Sequence, residues 1–163
     1  MTMSYTPSEK IGTLSDDEAA AFLEEPWTGR IATIDGEGWP YVAPVWYEFE
    51  RERGSFLVVG REAARWIAYI RVNPRVAFHV ADDLHAHHTR VQVQATARIL
   101  EGPVPPTASP ALLELTHRLS WRYLGPDGPR YAERTLARPR VLVRLEPARW
   151  TTWTGQEWHP RYR

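Results

Sequence analysis

The densest group of metal-ligating side chains in the sequence is the string Asp82, Asp83, Leu84, His85, Ala86, His87 and His88. Imidazole and carboxylate donors suit zinc, nickel or iron. The string offers no helical i, i+4 face and falls between two strand-like runs, so it reads as a solvated hairpin loop, and no metal site is expected. Nucleophile chemistry is served no better. There is no cysteine, which excludes disulfides, iron–sulfur clusters, thiolate zinc sites and cysteine nucleophiles. The sequence has no Gly-x-Ser-x-Gly elbow, no P-loop and no Gly-x-Gly-x-x-Gly fingerprint. The commonest hydrolase and nucleotide-binding classes are therefore not expected.

Oxyanion binding fares better. Lys10 is the single lysine among 20 Lys and Arg residues, which leaves 19 arginines. Any phosphate or carboxylate must be met mainly by guanidinium forks. Arg61 and Arg65 are four apart where a helix should begin, so they are expected to share one face, and Arg30 opens a strand-like run. A helix N-terminus with two forks nearby is a phosphate cradle. The alternative is a pair of solvated arginines bound to Glu62. Without a dinucleotide glycine fingerprint, a mononucleotide or simple phosphate ester is favoured.

The elements that must position these groups follow from pattern. Ser15 to Glu18 has the form of a capping box, and a short helix ends before Pro26. Strands are expected over 30–34, 39–50, 55–59, 75–81, 89–100 and 141–153, the first three forming a meander. Pro40 and Pro44 mark the second as an edge or a bulge. A crossing helix carries Ala64, Trp66, Ile67 and Ile70 at helical spacing and stops at Asn73 and Pro74. A loop is expected over 102–110, then helices over 111–123 and 131–137. The class is mainly β (α+β): six antiparallel strands in a closed or half-closed barrel with flanking helices. At 163 residues this is one domain, with a flexible segment over 1–13 and the domain over 14–163.

Charge sets limits on partners. The chain has 20 acidic residues against its 20 Lys and Arg, so no general grip on nucleic acid is expected. There is no apolar run long enough to span a membrane. The start of the chain lacks a basic, then apolar, leader. A cytoplasmic location is the expectation.

The order of features resembles the flavin-binding split-barrel proteins related to pyridoxamine 5′-phosphate oxidase. The resemblance rests on a strand, a turn, a strand with Pro44-Val45-Trp46-Tyr47, another strand, Gly60-Arg61, a helix, and Asn73-Pro74-Arg75-Val76. It extends from about Leu14 to the C-terminus. It implies a six-stranded split barrel binding FMN at a homodimer interface. Arg30, Ile31, Ala32, Thr33 and Ile34 match the strand that runs along the flavin and its phosphate. Val58 and Val59 fall where family backbone flanks the flavin. Arg65 matches the Arg of a Ser-Arg-Lys phosphate motif whose Lys is Trp66 here, and Arg61 can replace that cation. Arg90 stands where the family has Gln.

Near the C-terminus, Trp153, Gly155 and Glu157, with Arg163, resemble a Trp-x-Gly-x-Glu motif followed by Arg. In the family that Trp and Arg reach the flavin. His159 and Arg161 occupy, in swapped order, the positions used for the oxidase's substrate, and they are the expected catalytic residues. The oxidase's final strand has no counterpart before Arg163. Trp46, Tyr47 and Trp153 can wall an isoalloxazine. The resemblance thus implies an FMN-dependent oxidoreductase transferring hydride to or from a small organic substrate. Its alternatives are a deazaflavin (coenzyme F-420) reductase on the same fold, and a non-catalytic flavin- or haem-binding dimeric module.

Overall fold

Ser15 caps the first helix as its spacing to Glu18 requires. In the computed structural model, which describes residues 10–156, the Glu18 N–H donates to the Ser15 hydroxyl and the Ser15 N–H donates back to the Glu18 carboxylate. Helix α1 spans Asp16–Glu24 and carries three acidic residues in its first turn, where the helix dipole favours them. It buries Phe22 and Leu23. The strands are β1 (Gly29–Ile34), β2 (Pro40–Val45), β3 (Tyr47–Glu50), β4 (Ser55–Arg61), β5 (Arg75–Ala81), β6 (Arg90–Val104) and β7 (Arg140–Trp153). The helices after α1 are α2 (Arg65–Val72), α3 (Pro110–Leu124) and α4 (Gly128–Thr135).

The seven strands form one antiparallel sheet in the order β2-β1-β5-β6-β7-β4-β3. This is the split-barrel fold with one strand more than expected. The extra strand arises because the run over 39–50 changes partner at Trp46. Val45 pairs with Gly29 of β1, whereas Tyr47 pairs with Val58 of β4. One extended segment thus joins the two edges of the sheet and rolls it into a barrel. The expected meander is two hairpins, β1–β2 and β3–β4, at opposite edges.

Tyr123 of α3 holds that junction. Its hydroxyl accepts from the Tyr47 N–H at 3.2 Å and donates to the Trp27 carbonyl at 2.9 Å. Its ring stacks on Trp46, with centroids 5.1 Å apart and planes within 3°. The neighbouring Arg122 donates to the carbonyls of Leu23 and Glu25, and its guanidinium lies 5.1 Å from the Tyr47 ring centroid. Backbone groups freed where the strand leaves one ladder for another are therefore paired.

Inside the barrel, strand alternation buries Ile31, Tyr47, Phe56, Val58, Phe78, Val80, Val91, Val93, Val143 and Leu145. Helix α2 adds Trp66, Ile67 and Ile70. Gly29 is required here: a Cβ on it would sit 2.3 Å from the Phe78 ring. A second cluster forms outside the barrel, where Leu112, Leu115 and Leu119 of α3 cover Leu57, Val59 and Leu142.

Other boundaries also shift. Strand β6 runs on to Val104, through register shifts after Gln94, Ile99 and Glu101, so the first three residues of the expected loop over 102–110 are strand. Helix α4 begins at Gly128 rather than 131, because Pro129 occupies the first turn, where a missing N–H is harmless. The loop over 82–88 joins β5 to β6. It is ordered by the buried Asp82, which accepts from the N–H groups of Leu84 and His85 and meets His85 Nδ1 at 2.8 Å. Gly12 and Thr154 exchange backbone hydrogen bonds of 2.8 Å in an isolated bridge. Among the described residues, no helix is long and apolar enough to cross a membrane.

Candidate active site

The barrel's seam opens where β2 and β4 diverge on either side of Trp46. A cavity of about 420 Å³ lies there, within the range of small-molecule sites. Strand β2 lines it with Tyr41, Ala43, Pro44 and Val45, and β4 with Val59, Gly60 and Arg61. The start of α2 contributes Ala64, Arg65 and Trp66, while Thr116, Leu119, Ser120, Tyr131 and Arg140 come from α3, α4 and β7. Gly60 allows α2 to approach: a Cβ there would meet Trp66 at 2.6 Å and Ile67 at 2.7 Å.

The electrostatics of this cavity are unbalanced. Elsewhere Arg51, Arg98, Arg118 and Arg144 pair with Asp17, Glu146, Glu48 and Glu50, while others, Arg71 and Arg75 among them, stand without a carboxylate partner among the described residues. Among the described residues, Arg61, Arg65 and Arg140 have no carboxylate partner, and Glu62 does not supply one. The start of α2 is unusual as well. Its N-cap, Ala64, makes no side-chain cap, and its first turn has no acid, in contrast to α1. A cation at the positive end of a helix dipole is unfavourable until an anion joins it. Two buried donors lining the cavity, the Thr116 hydroxyl and Arg140 Nε, have no hydrogen-bond partner. These features fit a phosphate-bearing group.

The cofactor residues expected from sequence are distributed over three places. Trp46, Val59, Arg61 and Arg65 meet in the cavity. Arg61 ends β4 and Arg65 begins α2, so they do not share a helix face. It is the strand-to-helix turn that brings both to the cavity. Arg30 stands at the lip. Its guanidinium is 3.5 Å from the carbonyl of Thr28, its cross-strand partner is Pro44, and both Thr28 and Pro44 line the cavity. Arg30 also pairs with Asp83.

On the outward face of β1, β5 and β6, strand register places Arg30 beside His79 and Arg90 beside Ala81, with Ala32 and Ile34 along the same side of β1. Burial, with Arg30 close by and Arg90 beyond it, holds the His79 imidazole below its ordinary pKa, against the opposing pull of Asp83. Ile31, Thr33 and Val58 alternate inward and are buried. Trp153 sits opposite Arg90 at the end of β7, buried, with its indole N–H donating to the Gly155 carbonyl at 3.4 Å. Tyr47 is core, not cavity wall: burial pushes its phenol pKa upward, and its hydroxyl donates to the Leu23 carbonyl. Glu157, His159, Arg161 and Arg163 lie outside the described residues. Among the described residues no group of His, Asp and Glu is arranged to hold a metal ion.

Sequence reasoning missed Arg140, Thr116, Ser120 and Tyr131. Thr116 and Ser120 occupy positions on α3 that sequence alone assigns to an ordinary buried stripe. Arg140 precedes an apolar run as any solvated strand residue does. Only packing of α3 and α4 over the seam brings them to the cavity.

A larger cavity, about 680 Å³, lies between α1 and the pair Phe49 and Trp150. Its arginine, Arg51, is already bound to Asp17 at 2.6 Å, so it carries no comparable charge imbalance.

A seven-stranded antiparallel barrel, split at a seam that holds an arginine-lined cavity, defines the class of split-barrel folds. The chain belongs to the pyridoxamine 5′-phosphate oxidase family, whose model matches residues 15–154. It is similar to 5a,11a-dehydrotetracycline/5a,11a-dehydrooxytetracycline reductase of Streptomyces rimosus, with 38% identity over 63 residues, covering 37% of this chain and 44% of the reductase. The chain thus matches less than half the length of that curated relative. Among solved structures it resembles a conserved hypothetical protein from Mycobacterium tuberculosis, at TM-score 0.67 and 26% identity over 92% of this chain and 90% of the other. It shares its fold with an F-420 reductase, at TM-score 0.60 and 24% identity over 80% and 94% of the two chains.

Proposed function

We propose that this protein is an FMN-dependent oxidoreductase acting on a small organic substrate, with the flavin phosphate held at the start of α2. The observation that carries this reading is the uncapped N-terminus of α2 facing a cavity with the unneutralised Arg61 and Arg65. Arg61 and Arg65 would hold the phosphate, Arg30 would sit at the lip, and Trp46 and Val59 would wall the ring system. When bound, a flavin supplies hydride transfer; the protein supplies binding, orientation and exclusion of water. Nothing in this chemistry needs a cysteine nucleophile or a metal.

The second subunit enters through the outward face of β1 and β2. Ile34 and Val42 are exposed there, Val42 by 60%. Apolar side chains grouped on one sheet face mark an interaction surface. A homodimer using this face would cover them and bring a partner to the sheet that carries Arg30 and Arg90. We assign His159 and Arg161 to substrate contact and Arg163 to the flavin, with His159 able to exchange a proton near neutral pH.

A deazaflavin reductase is the second reading, favoured by the third unpaired arginine, Arg140, which suits a longer anionic cofactor. An absorbance spectrum of purified protein titrated with each cofactor separates the two. Bound flavin absorbs near roughly 450 nm and the deazaflavin somewhat to the blue. Arg65→Ala should weaken FMN binding about ten- to a hundredfold, and Arg65→Lys should recover part of it. Removal of residues 156–163 should loosen flavin binding and abolish turnover while leaving the barrel folded. A protein that binds neither cofactor would overturn the reading.

A further inference from the structure

We propose that the seam cavity has a second oxyanion subsite, formed by Arg140 and Thr116, so that the cavity takes a second acidic group beside the phosphate held by Arg61 and Arg65. The proposal rests on the reading that Arg61 and Arg65 hold one phosphate. It concerns the wall that β7 and α3 build, to which α2 contributes nothing.

Thr116 is 4% exposed, lines the cavity, and leaves its hydroxyl without a hydrogen-bond partner. A helical threonine has an easy remedy, because its hydroxyl can donate back to a carbonyl one turn earlier. Thr135 on α4 does so, donating to the carbonyls of Tyr131 and Ala132 at 3.2 and 3.0 Å. Thr116 does not. Arg140 Nε is the second such atom on the same cavity, shut off from solvent and unpaired. Buried polar atoms are nearly always paired, and exceptions mark a strained or functional place.

The chemistry of this wall is one-sided. Arg140 Nε is a donor, and the Thr116 hydroxyl is free to donate. No carboxylate neutralises Arg140 among the described residues. Donors with a fixed positive charge recognise an oxyanion, phosphate or carboxylate, and reject a cation. Arg140 is also the direct cross-strand partner of Arg61, so the two subsites adjoin: a second acidic group can enter beside the flavin phosphate, and a probe with two neighbouring acidic groups spans both. Gly128 sets the wall's position. A Cβ on it would lie 2.5 Å from the Ser120 carbonyl oxygen, so α4 meets α3 in backbone contact and delivers Tyr131 beside Ser120.

Calorimetric titration of the full chain with inorganic phosphate, pyrophosphate and 2-phosphoglycolate tests this. The wild-type protein should bind pyrophosphate or phosphoglycolate at least about tenfold more tightly than phosphate, the worth of one charge-assisted hydrogen bond. The tighter of the two tells whether the second group is a phosphate or a carboxylate. Arg140→Met and Thr116→Val should each erase that advantage while keeping the affinity for phosphate, whereas Arg65→Ala should weaken all three ligands. Thr116→Val should melt no lower than wild type without ligand, because it removes an unpaired hydroxyl at nearly constant volume. No advantage in the wild type, or an advantage that survives in both variants, overturns the proposal. So does Arg140→Met weakening phosphate itself, which would mean a single shared site. Parallel FMN titration separates the two readings. A two-anion preference without flavin binding sinks the cofactor assignment alone, and flavin binding without that preference sinks the second subsite alone.

Discussion

Arg61 and Arg140 stand directly opposite each other across the β4–β7 pair, and both line the seam cavity. Like charges facing across an antiparallel pair are destabilising. An oxyanion held at each of the two proposed subsites would offset this repulsion, so ligand binding and the stability of the ligand-free barrel are linked through the same pair. Arg61→Glu separates them. It should stabilise the ligand-free protein by about 0.2–1 kcal/mol, the worth of an opposite-charge cross-strand pair, and lower FMN affinity at least about tenfold. Thermal melts and fluorescence titration on the same sample check both signs. A less stable variant with unchanged affinity would remove Arg61 from the site.

The strand switch at Trp46 depends on one hydroxyl. Tyr123→Phe keeps the ring stacked on Trp46 but strips a partner from the Tyr47 N–H and the Trp27 carbonyl. Leaving such groups unpaired costs about 1–3 kcal/mol. Urea denaturation should show a lower midpoint at an unchanged slope. Since Trp46 lines the cavity, flavin affinity should fall as well. A neutral effect on stability would mean that the switch is held by packing alone.

His79 gives the protein a pH-dependent term. Burial and the nearby Arg30 depress its pKa below the ordinary 6.5, so the folded protein binds fewer protons than the unfolded chain just below that value. Stability from this group is complete above about pH 6.5 and is lost as the pH falls through the window between 6.5 and the depressed pKa. His79→Gln should flatten that limb of the stability profile. NMR titration should place the His79 midpoint below 6.5, and a midpoint at or above that value would contradict the assignment.

The exposed face of β1 and β2 predicts the dimer. Val42 faces outward from β2 opposite Ala32, 60% exposed. Val42→Arg places a charge on each copy of a self-complementary patch and should yield a monomer by light scattering at micromolar concentration. If the cofactor lies at that interface, the monomer should also lose flavin. An unchanged dimer would move the interface elsewhere.

Local chemistry made much of this protein legible in its sequence. The capping box at Ser15 and Glu18, the stop at Asn73 and Pro74, and the alternation over 75–81 each act within a few residues. Their elements therefore lie where the sequence places them. The order of these elements was enough to indicate the family.

The partner change at Trp46 had no local signal. Tyr41, Ala43, Val45 and Tyr47 keep their side chains on the same side of the strand throughout. Alternation reports which face is buried, not which strand lies beside it. The same limit hid half the cavity wall. Thr116 and Arg140 belong to elements separated by a helix and two turns, and nothing in their spacing says that they meet. Tertiary packing decided that, because only the docking of α3 and α4 over the seam fixes which buried donors find partners and which are left facing the cavity.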